Sequence, residues 1–100
     1  MIHHIVFWKM QETANGRSAF ENAEEMKLLL RALPASISQV KTLEVGLDFN
    51  RSTVAWDIAL YTTFETAQDL QAYQVHPEHQ KVVAFVTSVV ASRAVVDFEA

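Results

Sequence analysis

The sequence predicts an α+β domain with the element order β-α-β-β-α-α-β. Three observations support this order. A segment rich in β-branched and aromatic residues, Ile2 to Met10, opens the chain, a strand–turn–strand pattern occupies its middle, and Pro77 divides the second helical region in two. The order is a split βαβ arrangement with a broken second helix. A chain of 100 residues corresponds to one domain, and we take residues 1–100 as that domain.

The opening strand, Ile2 to Met10, is apolar on both of its faces. Alternation places one set of side chains on each face: His4, Val6 and Trp8 on the first, His3, Ile5 and Phe7 on the second. Such a pattern is typical of a strand that is covered on both sides. The helices of so small a domain cover one side only, so we expect a second copy of the chain to cover the other.

The first helix has clear start and stop signals. Asn15-Gly16 predicts a turn, and Ser18 with Glu21 forms the Ser-x-x-Glu capping box. We expect the helix to run from about Ala19 to Leu33 and to end at Pro34.

Two strands should then form a hairpin, Ile37 to Asp48 and Thr53 to Phe64. In the second of them Trp56, Ile58 and Leu60 share one face. Asp57 alternates onto the opposite face, which we expect to meet the second subunit. A buried carboxylate needs a partner, and the candidates are Arg51, Arg93 or a group of the other chain.

The last third of the chain contains a short helix, a corner and a longer helix. The expected elements are a helix over Glu65 to Tyr73, a helix over about Pro77 to Val90, and a final strand over Ser92 to Glu99. Pro77 suits the first turn of a helix, and the residue before it, His76, is pushed toward an extended conformation. His79 then shares a helix side with apolar residues, so it faces the interior or a pocket.

Tyr73 and His79 are the best candidates for chemistry. A neutral imidazole is suited to proton transfer near pH 7, and a phenol can donate a hydrogen bond to a carbonyl or an enolate. Each residue of the motif can instead have a structural role. His76 can buttress the corner, Tyr73 can be a core residue with a satisfied hydroxyl, and structural and functional roles for His79 are equally supported.

Tyr73-Gln74-Val75-His76-Pro77-Glu78-His79, with the helix after it, resembles the Tyr-x-x-His-Pro-x-His motif of the stress-responsive A/B barrel (Dabb) family. His4-Ile5-Val6 and Val96-Asp97-Phe98 resemble the first and last strands of that family, so the resemblance covers essentially the whole chain. It implies a ferredoxin-like α+β protomer with a four-stranded antiparallel sheet, pairing into a homodimeric α/β barrel.

The resemblance also implies a site. One plant member is a cofactor-free polyketide cyclase whose catalytic tyrosine and histidine align with Tyr73 and His79, and whose pocket includes a histidine that matches His4. The present chain departs from that enzyme in its pocket walls. We expect Tyr73 and His79 to be catalytic, and the ligand-binding set to be His4, Val6, Trp8, Met26, Trp56, Ile58, Leu60, His76 and Arg93.

Composition excludes several classes of function. A net charge of −4 without a basic cluster argues against nucleic acid and anionic membranes as partners. The chain has no cysteine, and its four histidines show no metal-ligand spacing, so we expect neither metal nor cofactor. No signal-peptide pattern is present, and no apolar run approaches the ~18 residues of a membrane span. We expect a cytoplasmic homodimer.

Three functions are compatible with these patterns. The first is a cofactor-free enzyme that acts on a carbonyl or polyketide-like small molecule, with Tyr73 and His79 as the acid/base pair. The second is a non-catalytic, stress-responsive homodimer that binds a small hydrophobic or aromatic ligand. The third is a cofactor-free monooxygenase, in which the substrate itself activates oxygen. Fold alone does not choose between them.

Overall fold

The computed structural model describes all residues from Met1 to Ala100. Four helices and six strands follow in the order β1 Ile2–Met10, β2 Thr13–Ala14, β3 Arg17–Ser18, α1 Ala19–Arg31, α2 Leu33–Ser36, β4 Thr42–Leu47, β5 Ile58–Phe64, α3 Ala67–Val75, α4 Pro77–Val89 and β6 Val90–Glu99. The predicted order is confirmed, with two additions: the two-residue hairpin β2–β3 and the short helix α2. None of the four helices is long and apolar enough to cross a membrane.

Four of the strands form one antiparallel sheet with the order β4-β5-β1-β6. The opening strand β1 therefore lies inside the sheet and pairs with both β5 and the C-terminal strand β6. The predicted hairpin is the β4–β5 pair. This arrangement confirms the ferredoxin-like α+β fold, and it places residues from both ends of the chain side by side.

The two faces of the sheet have different environments. His4, Val6 and Trp8 point toward the helices and are buried, as the alternation predicts. The opposite face, here called the outer face, has no helix over it. Its apolar side chains on β1, β5 and β6 are half-buried or exposed: Ile5, Phe7, Tyr61, Val96 and Phe98. Such a continuous apolar surface is typical of an interaction face.

The start of α1 confirms the capping box, and its end corrects the sequence prediction. The Ser18 hydroxyl accepts the Glu21 N–H at 3.1 Å, and the Glu21 carboxylate accepts the Ser18 N–H at 2.9 Å. The helix ends at Arg31, before the predicted Leu33. Pro34 lies in the first turn of α2, where its missing N–H costs nothing, so it helps to start a helix as well as to end one.

The β4–β5 hairpin is shorter than predicted, because residues 48–57 form its connecting loop. The Asp57 carboxylate in this loop accepts hydrogen bonds from Arg51 Nη2 and from the Met10 N–H, both at 2.7 Å. Pairing with Arg51, one of the three predicted options, is confirmed. The expectation that Asp57 lies within a strand is wrong, since it precedes β5 and its carboxylate ties the loop to the end of β1; contact of Asp57 with a second subunit stays a prediction.

A corner at His76 connects α3 to α4. His76 has extended backbone angles, φ −64° and ψ 137°, and its Nδ1 accepts the Glu78 N–H at 3.1 Å. It is therefore the N-cap of α4, with Pro77 in the first turn. The corner brings the last turn of α3 next to the first turn of α4, and this proximity positions Tyr73 and His79.

Candidate acid–base site

A cavity of about 400 Å³ lies between the helix-facing side of the sheet and helices α3 and α4. Nine of the fifteen residues that line it are hydrophobic. The sequence-predicted residues among them are His4, Val6, Trp8, Leu60, Tyr73, His79 and Arg93. The structure thus brings together seven predicted residues from β1, β5, β6, α3 and α4, in a volume suited to a small molecule.

Tyr73 is fully buried, and its hydroxyl has no hydrogen-bond partner in the protein. A buried polar group without a partner is costly, so such a hydroxyl beside a cavity is a candidate ligand contact. Burial raises the pKa of the Tyr73 phenol to about 12. At neutral pH the hydroxyl is therefore protonated and remains a hydrogen-bond donor that no protein group accepts.

His79 lies against Tyr73, with ring centroids 4.4 Å apart and planes tilted by 51°. Its Nδ1 is 3.0 Å from the Gln74 carbonyl oxygen. Because a carbonyl only accepts, Nδ1 donates in this contact, and the neutral ring keeps its lone pair on Nε2. Burial lowers the pKa of His79, and the charge of Arg93 adds to this, although the hydrogen bond to Gln74 raises it. The result is a neutral imidazole with a free basic nitrogen near pH 7.

A second imidazole faces the same cavity from the sheet. His4 is buried, and its ring lies edge-on to Tyr73 with centroids 6.3 Å apart. His4 Nδ1 donates a hydrogen bond to the Asp97 carboxylate on the neighbouring strand β6, where the two residues pair directly. A carboxylate that holds one ring nitrogen fixes the orientation of the ring and leaves the other nitrogen for a ligand.

Two predicted residues lie in the protein core instead of the cavity wall. Met26 is fully buried in the middle of α1. Ile58 is also buried, and its cross-strand neighbours are Leu47 and Trp8. Strand and helix periodicity identified the correct face in both cases, but it does not distinguish a residue that fills the core from one that borders a void.

Trp56 and His76 also lie outside the cavity wall, for identifiable reasons. Trp56 precedes β5, in the loop that the sequence assigned to the strand, and the Lys9 ammonium lies 4.9 Å from its ring centroid. It therefore does not narrow the cavity. His76 caps α4 through its Nδ1, as expected if the role of this residue is structural.

Other residues of the site could not be found from the motif. Asp97 orients His4, and Gln74 supplies both a lining side chain and the carbonyl that orients His79. The sequence does not indicate which backbone carbonyl accepts a hydrogen bond from a given side chain. The Asp97 contact requires the pairing of β1 with β6, which the sequence alone does not specify. The remaining additions to the wall are Leu30, Gln80, Val82, Val83, Val86, Thr87 and Val90.

The site combines one protonated hydroxyl and two imidazoles whose Nδ1 atoms are occupied. Such a set can remove a proton from a carbon acid and stabilise the resulting oxyanion. No group of three or more histidine, aspartate, glutamate or cysteine side chains lies close enough together to hold a metal ion.

Comparison with known proteins identifies the family. The family model of the stress responsive A/B barrel domain, Dabb, matches residues 2–100. The chain belongs to the Dabb family. No curated protein matches it, so membership supplies the fold and leaves the reaction open.

Solved structures place the Dabb chain among ferredoxin-like proteins. A dimeric protein of unknown function and ferredoxin-like fold from Bacteroides fragilis is 35% identical, with a TM-score of 0.84 and coverage of 98% of this chain and 94% of that one. Two distant neighbours carry functional names. A hydroxynitrile lyase from Passiflora edulis is 14% identical, with a TM-score of 0.81 and coverage of 97% and 90%. A candidate antibiotic biosynthesis monooxygenase from Nitrosomonas europaea is 17% identical, with a TM-score of 0.73 and coverage of 100% and 98%.

Proposed function

We propose that this Dabb protein is a cofactor-free enzyme that removes a proton next to the carbonyl of a small, partly apolar ketone. The observation that carries the proposal is that Tyr73 and His79 line one cavity with their rings in contact, and that the buried Tyr73 hydroxyl has no partner in the protein. The distant lyase and monooxygenase share only the fold with this chain, so the proposal rests on the cavity and not on them.

The chemistry assigns one role to each residue. Nε2 of His79 takes the proton from the carbon next to the carbonyl, and the electron pair of the broken C–H bond moves to the carbonyl oxygen. The Tyr73 hydroxyl donates a hydrogen bond to the enolate oxygen that forms. Return of the proton from His79 to carbon regenerates the ketone. In a natural substrate the enolate carbon can instead attack a second carbonyl. A carbon–carbon bond forms, the π electron pair of that carbonyl moves to its oxygen, and this oxygen takes the proton held by His79.

Hydrogen–deuterium exchange tests this step without knowledge of the natural product. Phenylacetone and a panel of ring-substituted phenylacetones would be incubated with the protein in D₂O, and loss of the methylene proton signal would be followed by NMR. We expect wild-type protein to accelerate exchange, and His79→Gln and Tyr73→Phe to lower the rate by about 10²–10⁴-fold.

Lys81→Gln is the control for general effects of substitution on α4, since Lys81 is exposed and pairs with Glu78 away from the cavity. It should exchange at the wild-type rate. Equal rates for wild type, His79→Gln and Tyr73→Phe across the whole panel would overturn the catalytic assignment and favour the non-catalytic binder. Oxygen consumption with electron-rich aromatic compounds would instead favour the monooxygenase alternative.

We propose further that the protein is a homodimer that pairs through its outer face. That face exposes Phe7, Tyr61, Val96 and Phe98 by 39–58%, and the Bacteroides fragilis neighbour is dimeric. Burial of apolar side chains at about 25 cal/mol per Å² would supply the association energy. Such pairing gives the two-sheet barrel that the family resemblance implies.

Neighbouring valines on β6 provide a matched test of this interface. Val96 points to the outer face and Val95 to the helix side, and both are partly exposed. In sedimentation experiments Val96→Asp should dissociate the dimer, because it buries a charge in the interface, whereas Val95→Asp should remain dimeric. A monomeric wild-type protein, or a dimeric Val96→Asp variant, would contradict the outer-face interface.

A further inference from the structure

The cavity residues on β1 and β6 include a buried hydrogen-bond donor without a partner. Trp8 and Arg93 are directly paired across these strands, and both line the cavity. Trp8 is only 5% exposed, yet its indole N–H has no hydrogen-bond partner in the protein. A donor that is buried without a partner is costly in free energy, and this cost is offset when a ligand supplies an acceptor.

Arg93, which is exposed to solvent, is the cross-strand partner of Trp8 and adds a positive charge on the same side of the sheet. Its guanidinium takes part in none of the five ion pairs of the chain. The acidic residue nearest to it on the same side of β6, Asp97, is already bound to His4. The charge of Arg93 is therefore not neutralised by a neighbouring carboxylate, and it is one of the smaller causes that lower the pKa of His79.

We infer that the ligand of this cavity carries a carboxylate, which is held by the Arg93 guanidinium and the Trp8 indole N–H. The inference rests on the proposed function and specifies its substrate class: a keto acid with its carbonyl at Tyr73 and His79 and its carboxylate at Arg93. The largely apolar wall between these ends, which includes Val6, Leu60 and Val86, suits an aryl or alkyl spacer.

The chemistry of the donors favours a carboxylate over a phosphate. A guanidinium presents parallel N–H groups that match the two oxygens of a planar carboxylate. One arginine and one neutral indole supply a single positive charge, which balances a carboxylate but not a doubly charged phosphate monoester. An apolar cavity would leave the second phosphate charge unpaired.

A pair of nearly isosteric probes tests the inference by binding. Para-acetonylbenzoate and para-acetonylbenzamide have the same ketone and ring and differ in one charge. Calorimetric titration of wild-type protein should show binding of the acid at least about tenfold tighter than binding of the amide. In Arg93→Met this ratio should fall to about one, and in Trp8→Phe it should fall partway, because the guanidinium remains.

Arg31→Met is the matched control, because it removes an equal charge at the exposed end of α1, away from the cavity. It should keep the wild-type preference for the acid. Equal binding of the two probes by wild type, no binding of either at millimolar concentration, or an unchanged ratio in Arg93→Met would overturn the inference.

The same probes separate failure of this inference from failure of the proposed function. Exchange of the methylene protons of both probes without preferential binding of the acid would overturn the carboxylate site and leave proton abstraction standing. Preferential, Arg93-dependent binding of the acid without exchange would confirm the carboxylate site and contradict the catalytic role of His79.

Discussion

The ring centroids of Tyr73 and His79 lie 4.4 Å apart, although the two residues belong to different helices. The corner at His76 and Pro77 makes this possible, since it ends α3 two residues after Tyr73 and starts α4 two residues before His79. A continuous helix would keep the six-residue separation of the two side chains along one axis. The broken helix is thus the element that brings these two side chains together.

The lowered pKa of His79 predicts how stability and exchange depend on pH. Burial keeps the folded-state pKa below the usual 6.5, so as the pH falls the unfolded chain takes up this proton first. The free energy of unfolding should therefore decrease as the pH falls from 6.5 to the folded-state pKa of His79. Exchange catalysis should decrease as the pH falls through that folded-state pKa, because the base becomes protonated.

Urea unfolding between about pH 5 and pH 8 measures the stability effect, with His79→Gln as the control that lacks the titrating group. The wild type should show a steeper fall in stability below pH 6.5 than the variant. An NMR titration in which His79 takes up its proton above pH 6.5 would contradict this prediction.

Tyr73→Phe should slow exchange by about 10²–10⁴-fold without a cost in stability. The hydroxyl has no partner in the protein, so its removal eliminates an unsatisfied buried group while the ring stays in the core. We expect the free energy of unfolding to be unchanged or raised by up to about 1 kcal/mol. Thermal and urea denaturation check the prediction, and a loss of more than about 1 kcal/mol would mean that the hydroxyl has a structural partner.

Asp97→Ala should release the His4 ring while leaving the fold intact. Asp97 is partly exposed, and its contact in the structure is with His4 Nδ1. Without this acceptor the imidazole loses its fixed orientation, and we expect exchange to slow by about tenfold. Nitrogen-15 NMR of His4 reports its tautomer directly. Glu99→Ala, on the same side of β6, is the control, and a similar loss in that variant would refute a specific role for Asp97.

Substitutions of His76 separate capping from ligand binding. His76→Ala removes the acceptor of the Glu78 N–H and should lower the free energy of unfolding by about 1 kcal/mol. Asparagine is a good N-cap residue, so His76→Asn should have the stability and the exchange rate of the wild type. If His76→Asn is stable but has lost exchange, the imidazole contributes to the site as the sequence prediction has it.

The periodicity of apolar residues, together with the helix-capping and proline signals, was sufficient to predict most of the fold. Alternation in Ile2–Met10 identified the buried face of β1. Ser18 and Glu21 marked the start of α1 because their side chains cap backbone N–H groups, and Pro77 marked the start of α4. The hairpin boundaries were wrong because the alternating pattern of Trp56 and Asp57 continues into a loop. The backbone of Asp57 still hydrogen-bonds to Trp8 and Asp48, but the residues before it leave the sheet and its carboxylate binds Arg51; periodicity detects neither change.

The candidate site could be predicted only in part. Tyr73, His79 and His4 could be predicted as site residues because the motif and the strand pattern constrain them. Arg93 could be predicted from its position in the last strand. The contacts that orient the imidazoles depend on a backbone carbonyl and on the β1–β6 pairing. Whether a buried residue borders a void or fills the core depends on the packing of all its neighbours, as Met26 illustrates.

A crystal structure of the protein with para-acetonylbenzoate tests the central claim most directly. We expect the ketone oxygen within hydrogen-bond distance of the Tyr73 hydroxyl, about 2.5–3.0 Å, with the methylene carbon next to His79 Nε2. Binding of the probe outside the cavity, or a Tyr73 hydroxyl that donates to a protein group while the probe is bound, would contradict the acid–base assignment.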